Sequence, residues 1–165
     1  MALIREGKAA EGVGQLEAGI TAWDAAGGKV HGPYFKAVLA EGMAHLGDLD
    51  GALELIDEQI AQVERPGWEE RDYYAEILCL KGWMLSLKGE LEGAERNYLA
   101  SLDWAREQQA KSWELRTATS LARLWQRHGK RQEAYELLAP VYHWFTEGFD
   151  TKDLQEAKAL LEELH

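Results

Sequence analysis

The feature that most constrains this 165-residue chain is a spacing of glycines. Gly7, Gly47, Gly89 and Gly129 sit near the start of four similar segments: "REGKAAEGVGQLEAGITAW", "HLGDLDGALELIDEQIAQV", "LKGELEGAERNYLASLDWA" and "RHGKRQEAYELLAPVYHWF". They stand 40, 42 and 40 residues apart. A fixed period of that order marks a repeat array. Five residues after each glycine comes a small residue (Gly12, Ala52, Ala94, Ala134), and nine after comes a large one (Leu16, Ile56, Tyr98, Leu138). Thirteen after come Ile20, Ile60, Leu102 and Tyr142, and sixteen after come Trp23, Val63, Ala105 and Phe145. Steps of four, four and three describe one face of an α-helix.

The residues before each glycine are helical too. Phe35, Leu39, Met43 and Leu46 form one stripe, Ile77, Leu78, Met84 and Leu85 the next, and Leu121, Leu124 and Trp125 the last. Each unit is therefore a helix A, a glycine turn and a helix B, the glycine supplying the left-handed residue that ends many helices. The expected helices are a stub at 2–6 with 9–26, then 33–46 with 49–64, 69–87 with 91–109 and 112–128 with 131–147. A last helix is expected from 151 or 152 to 164. Pro140 falls inside the fourth B helix and removes a backbone donor there. The stretches "AAGGKVHG" and "VERPGW" read as loops between units.

The pattern resembles the tetratricopeptide repeat (TPR), with Ala40, Gly82 and Ala122 as the small positions of helix A. In helix B the matches are Ala52 with Ile56, Ala94 with Tyr98, and Ala134 with Leu138. The period here is longer than that family's usual one of about 34 residues, and Lys36, Leu78 and Ala118 stand where an early Trp is usual. The resemblance implies an all-α solenoid of antiparallel helix hairpins over residues 1–165, with repeats at about 1–32, 33–68, 69–111 and 112–149. It also implies a protein-binding scaffold. Residues 108–164 further resemble the C-terminal tail of large bacterial signalling proteins with adenylate or guanylate cyclase domains and an AAA-like ATPase module. That likeness implies a regulatory tail whose catalytic modules lie elsewhere, since the chain holds no GxxxxGK[ST] phosphate loop.

The final helix sets Leu154, Ala157, Leu160, Leu161 and Leu164 on one side, opposite Lys152, Asp153, Gln155, Glu156, Lys158, Glu162 and Glu163. Such a helix caps an array. The first unit has only about five residues of helix A, so the start looks uncapped and truncation on that side is expected. The exposed apolar face of helix 9–26 is then a candidate homodimer contact.

The formal charge is −11, from 18 Lys/Arg against 29 Asp/Glu, which disfavours nucleic acid and anionic membrane as partners. From Arg106 to Arg131, however, seven basic residues face only Glu107 and Glu114, a net of +5. A helix-turn-helix reading of this stretch fails because its second half, "EAYELLAPVYHW", is apolar and acidic and follows the repeat rule. No run of residues is long and apolar enough for a membrane span. The lone Cys79 excludes an internal disulfide and suits a reducing compartment, with the cytoplasm as the default location. Cys79 carries no nucleophile signature and reads as an inert thiol. His31, His45, His128, His143 and His165 show no metal-ligand spacing; His128 reads as a helix C-cap. Glu69, Glu70, Asp72 and Glu76 read as the solvated, acid-rich first turn of a helix. No catalytic residue, cofactor or metal is expected.

What remains is a binding groove on the A helices. Equal offsets before each glycine place Tyr34, Glu41 and His45 in the second unit and Glu76 and Trp83 in the third. The fourth contributes Arg116, Arg123, Gln126 and Arg127. The three arginines are seven and four residues apart, on one helical face, where they could fork to carboxylates of a peptide or partner helix. Trp83 could add an apolar or cation–π contact. The competing reading pairs the same arginines internally with Glu76, Glu156 or Glu163. Grip on a peptide C-terminus usually adds asparagines among the basic residues, and Asn97, the chain's single asparagine, lies in a B helix.

Overall fold

The computed structural model describes Ile4, residues 7–28 and residues 30–165. Among these, eight helices follow in order: α1 Ala9–Ala25, α2 Gly32–His45, α3 Leu49–Val63, α4 Tyr74–Lys88, α5 Leu91–Glu107, α6 Lys111–Arg127, α7 Arg131–His143 and α8 Lys152–Leu164. The expected helical stub at 2–6 lies outside the described residues except at Ile4, which is helical and buried.

The glycine rule is met at every A-to-B turn. Gly47, Gly89 and Gly129 have φ of 96°, 83° and 79°, a region that costs a side chain with a Cβ about 1–2 kcal/mol. Each turn closes with the same pair of bonds. The glycine N–H donates to the carbonyl of Ala44, Ser86 or Gln126, and the following N–H to Met43, Leu85 or Trp125 at 2.9–3.0 Å. This pairing satisfies the last carbonyls of the A helix. The B helix restarts two residues after each glycine, at Leu49, Leu91 and Arg131. In the second unit Asp48 caps the restart, accepting from the Gly51 N–H at 3.1 Å.

The even-numbered helices pack against one another in series (α2 on α4, α4 on α6, α6 on α8) and form an inner row. Each odd-numbered helix packs only on the inner helices beside it in sequence, which makes an outer row. The last helix therefore sits where the A helix of a further unit would sit, against α6 and α7. It buries Leu154, Ala157, Leu160, Leu161 and Leu164 there, as a cap should.

The central helix α4 is buried on nearly all sides, from Tyr74 to Leu80 and again at Gly82, Met84 and Leu85. Its polar link to the next unit is satisfied: the buried Ser101 of α5 donates to the Ala75 carbonyl at 2.6 Å and lies 2.8 Å from the Thr117 hydroxyl of α6. Gly82 is small for a local reason. A Cβ there would stand 2.8 Å from the ring of Tyr98, the bulkiest residue at its position in any B helix.

Two boundaries differ from the sequence expectation by more than two residues. Helix A of the third unit begins at Tyr74, not Glu69, and Glu70 instead accepts the His31 N–H at 3.0 Å across the inter-unit loops. Helix B of the fourth unit ends at His143, not Glu147. Pro140 offers no N–H to the previous turn, and the helix runs only three residues past it.

Candidate functional site

The inner row leaves a cleft between α4, α6 and α8, continued toward α2. Its basic half has a volume of about 290 Å³. Trp83 and Leu87 of α4 form one wall, Arg116, Arg123 and Arg127 of α6 the next, and Asp153 and Glu156 of α8 the third. The adjoining half, about 340 Å³, adds Glu41 and His45 of α2, Glu76 and Lys152, and shares Trp83, Arg116, Asp153 and Glu156. The first half sets three arginines against two carboxylates. The second sets Arg116 and Lys152 against Glu41, Glu76, Asp153 and Glu156. The cleft is thus polarised along its length, basic toward the C-terminal end of α6.

Of the nine residues expected to line a groove, the structure brings together Glu41, His45, Glu76, Trp83, Arg116, Arg123 and Arg127. Tyr34 lies elsewhere, its ring stacked on Tyr73 at 5.2 Å between centroids. Gln126 turns to the end of the array and donates to Glu163 at 3.1 Å.

The arginines divide into two kinds. Arg116 is an internal tie: its guanidinium binds Glu76, which is only 1% exposed, and also Asp153 at 3.0 Å. Its cation also lies over Trp113, at 5.1 Å from the ring centroid. Glu76 does fall in the first turn of α4, but it is a buried ion-pair partner and not a solvated acid, because Arg116 projects from α6 onto it. Arg123 and Arg127 are less enclosed. Arg123 reaches Glu156 only at 3.9 Å, and Arg127 has no ion pair among the described residues. Trp83 packs its ring on His45 at 4.8 Å, and no cation lies over it among the described residues.

Cys79 is buried beside Glu76, and its thiol is pushed up to about 12 by burial and then by that carboxylate. At neutral pH it is a protonated, unreactive group. His128 Nδ1 bonds the Leu124 carbonyl at 2.7 Å, closing the end of α6 as a cap. Among the described residues no cluster of His, Cys, Asp and Glu is placed to hold a metal ion. No helix of those residues is long and apolar enough to cross a membrane.

Sequence reasoning offered Glu156 as one internal partner of the arginines; what it missed is Asp153 and α8 as a wall of the cleft. Asp153 and Glu156 are three residues apart, opposite the Leu154–Ala157–Leu161 stripe, and that spacing was the available signal. Assigning them to an outer face assumed that a capping helix turns its polar side to solvent all round. As a member of the inner row, α8 turns part of that side into the cleft.

No protein-family model matches the chain, and no curated protein matches it. Solved structures do. The chain superposes on a kinesin-light-chain-like protein of Podosopora anserina with nearly identical TPR-like repeats, at a TM-score of 0.64 and 18% identity, covering 99% of this chain and 80% of that one. A point variant of that kinesin-light-chain-like protein matches at 0.63 and 18%, covering 99% and 88%. The fold is a TPR-like solenoid. At this identity the likeness concerns the fold, and the expectation of an all-α array of helix hairpins with a C-terminal capping helix holds.

Proposed function

We propose that this TPR-like array is a non-catalytic interaction module that receives a partner polypeptide, acidic in character, in the cleft between α4, α6 and α8. The observation that carries this reading is the pair Arg123 and Arg127, one helical turn apart and only loosely matched by carboxylates, beside the apolar surface of Trp83 and Leu87. Guanidiniums in that state fork readily to carboxylates. TPR-like repeats generally mediate protein interactions. The likeness of residues 108–164 to cyclase tails adds that the module serves regulation within a larger signalling protein, and the single buried thiol suits the cytoplasm.

The test is a selection of peptides from a random library on the immobilised chain. The selected sequences should be acidic, compete with one another, and lose binding to a double variant carrying Arg123→Glu and Arg127→Glu. Equal binding to that variant would move the partner site away from the cleft.

A specific observation favours a second role, in self-association. Trp23 of α1 is 42% exposed, whereas Val63 and Ala105, at the same repeat position, are fully buried. Light scattering across a dilution series would reveal a dimer held by α1, and Trp23→Lys should abolish it; a constant monomer mass would end this reading.

A further inference from the structure

We infer that the capping helix α8 is a built-in competitor for the cleft's acidic partner, with Glu156 holding the place of a partner carboxylate on Arg123. This rests on the cleft reading above and adds both a mode of regulation and a description of the partner.

The two acids that α8 turns into the cleft are held very differently. Asp153 makes a 3.0 Å hydrogen-bonded contact with Arg116, which is itself anchored on the buried Glu76, so this end of the wall is fixed. Glu156 stands 3.9 Å from Arg123, and each of these side chains is 45% exposed. Its other oxygen lies 3.8 Å from Lys152, one turn back on the same helix. Releasing Arg123 therefore leaves Glu156 with a cation, and the exchange costs little. An incoming carboxylate would find Arg123 replaceable and Arg127 available one turn further on, spanned by a single fork or by two neighbouring acids.

The wall opposite supplies the rest of the description. Leu87 is 53% exposed at the mouth of the cleft, with Trp83 beside it. Apolar surface there, next to two arginines, fits a segment in which an aliphatic or aromatic side chain lies among carboxylates. The adjoining half of the cleft sets four carboxylates against Arg116 and Lys152, and this net acidic lining disfavours the same segment and fixes which end it occupies.

The experiment uses the whole chain and a fluorescein-labelled Glu-Glu-Leu-Glu-Glu peptide, with Gln-Gln-Leu-Gln-Gln as control, read by anisotropy. The acidic peptide should bind and the glutamine peptide should not. Glu156→Gln should tighten binding about threefold, the scale of an exposed ion pair. Lys158→Ala, outside the cleft, should change it less than about twofold, and Arg127→Glu or the milder Arg127→Gln should weaken it about tenfold or more. Unchanged affinity in Glu156→Gln, with binding still lost in the Arg127 variants, would overturn the competition and leave the cleft as the partner site. Binding that ignores peptide charge, or survives both Arg127 variants, would overturn the cleft reading itself. Circular dichroism melting of each variant separates these outcomes from loss of fold.

Discussion

At Gly82 the third hairpin departs from its neighbours, which carry Ala40 and Ala122 at the same position. The facing B helices explain the difference: the second and fourth units present Ile56 and Leu138, the third the larger Tyr98. A Cβ at position 82 would press on a ring that is 2% exposed and has nowhere to go. Gly82→Ala should lower the unfolding free energy by about 1–2 kcal/mol in urea denaturation, strain exceeding the gain in helix propensity. Combined with Tyr98→Leu it should cost less than the two changes added, because each relieves the other. The pair Glu76–Arg116 is the second residue-scale test. Glu76→Ala would leave a partly buried guanidinium short of its main carboxylate and should cost about 3 kcal/mol or more. Lys158→Ala, which removes an exposed contact to Glu162, should leave the urea midpoint unchanged.

Helices α5 and α6 are joined by a small charged clasp. Glu114 of α6 accepts from Arg106 of α5 at 3.0 Å and from Lys111 at 2.6 Å. Burial pushes its carboxyl pKa up, but the two cations outweigh that and the net shift is downward. A carboxylate depressed in the folded state contributes stability that is fully present above its unfolded pKa and is lost as pH falls through the folded one. The urea midpoint should therefore fall as pH drops through and below the ordinary carboxylate range, and Glu114→Gln should make that fall shallower. An equal slope in the variant would deny the clasp its role. The turns give a further element-scale expectation. Gly89→Ala, at φ of 83°, should cost about 1 kcal/mol or slightly more.

Across the whole molecule each helix touches only its neighbours in the two rows, so stability is a chain of nearest-neighbour contacts. Amide hydrogen exchange should be slowest in α4, enclosed by α2, α3, α5 and α6, and fastest in α1, where Gly12 is the only buried residue of the helix. Equal protection along the array would contradict this. The cleft itself is a whole-molecule property, assembled from three inner helices that begin at Tyr74, Lys111 and Lys152. Reversing charge at Arg123 and Arg127 should leave helicity and melting unchanged, since neither residue is buried.

The repeat rule was legible because it is local. A glycine in the left-handed region, a small residue five places on and large ones at helical intervals are consequences of backbone sterics and of close packing between adjacent helices. Most helix boundaries follow from it within a residue or two. It misplaced the start of α4, where acids that suit a first turn were taken up by loop contacts such as Glu70 with His31. It also carried the arginine face only part of the way. Periodicity puts Arg116, Arg123 and Arg127 on one side of α6 but says nothing of what stands opposite. That depends on α8 joining the inner row, which brings Asp153 to Arg116 and Glu156 toward Arg123 across 37 and 33 residues of chain. Sequence alone therefore determined an all-helical array of hairpins and the helical face that carries the arginines. Only the tertiary structure separated the arginine that ties the array together from the two that are loosely paired or unpaired by carboxylates among the described residues, because ion pairing depends on distances in space and not on spacing along the chain.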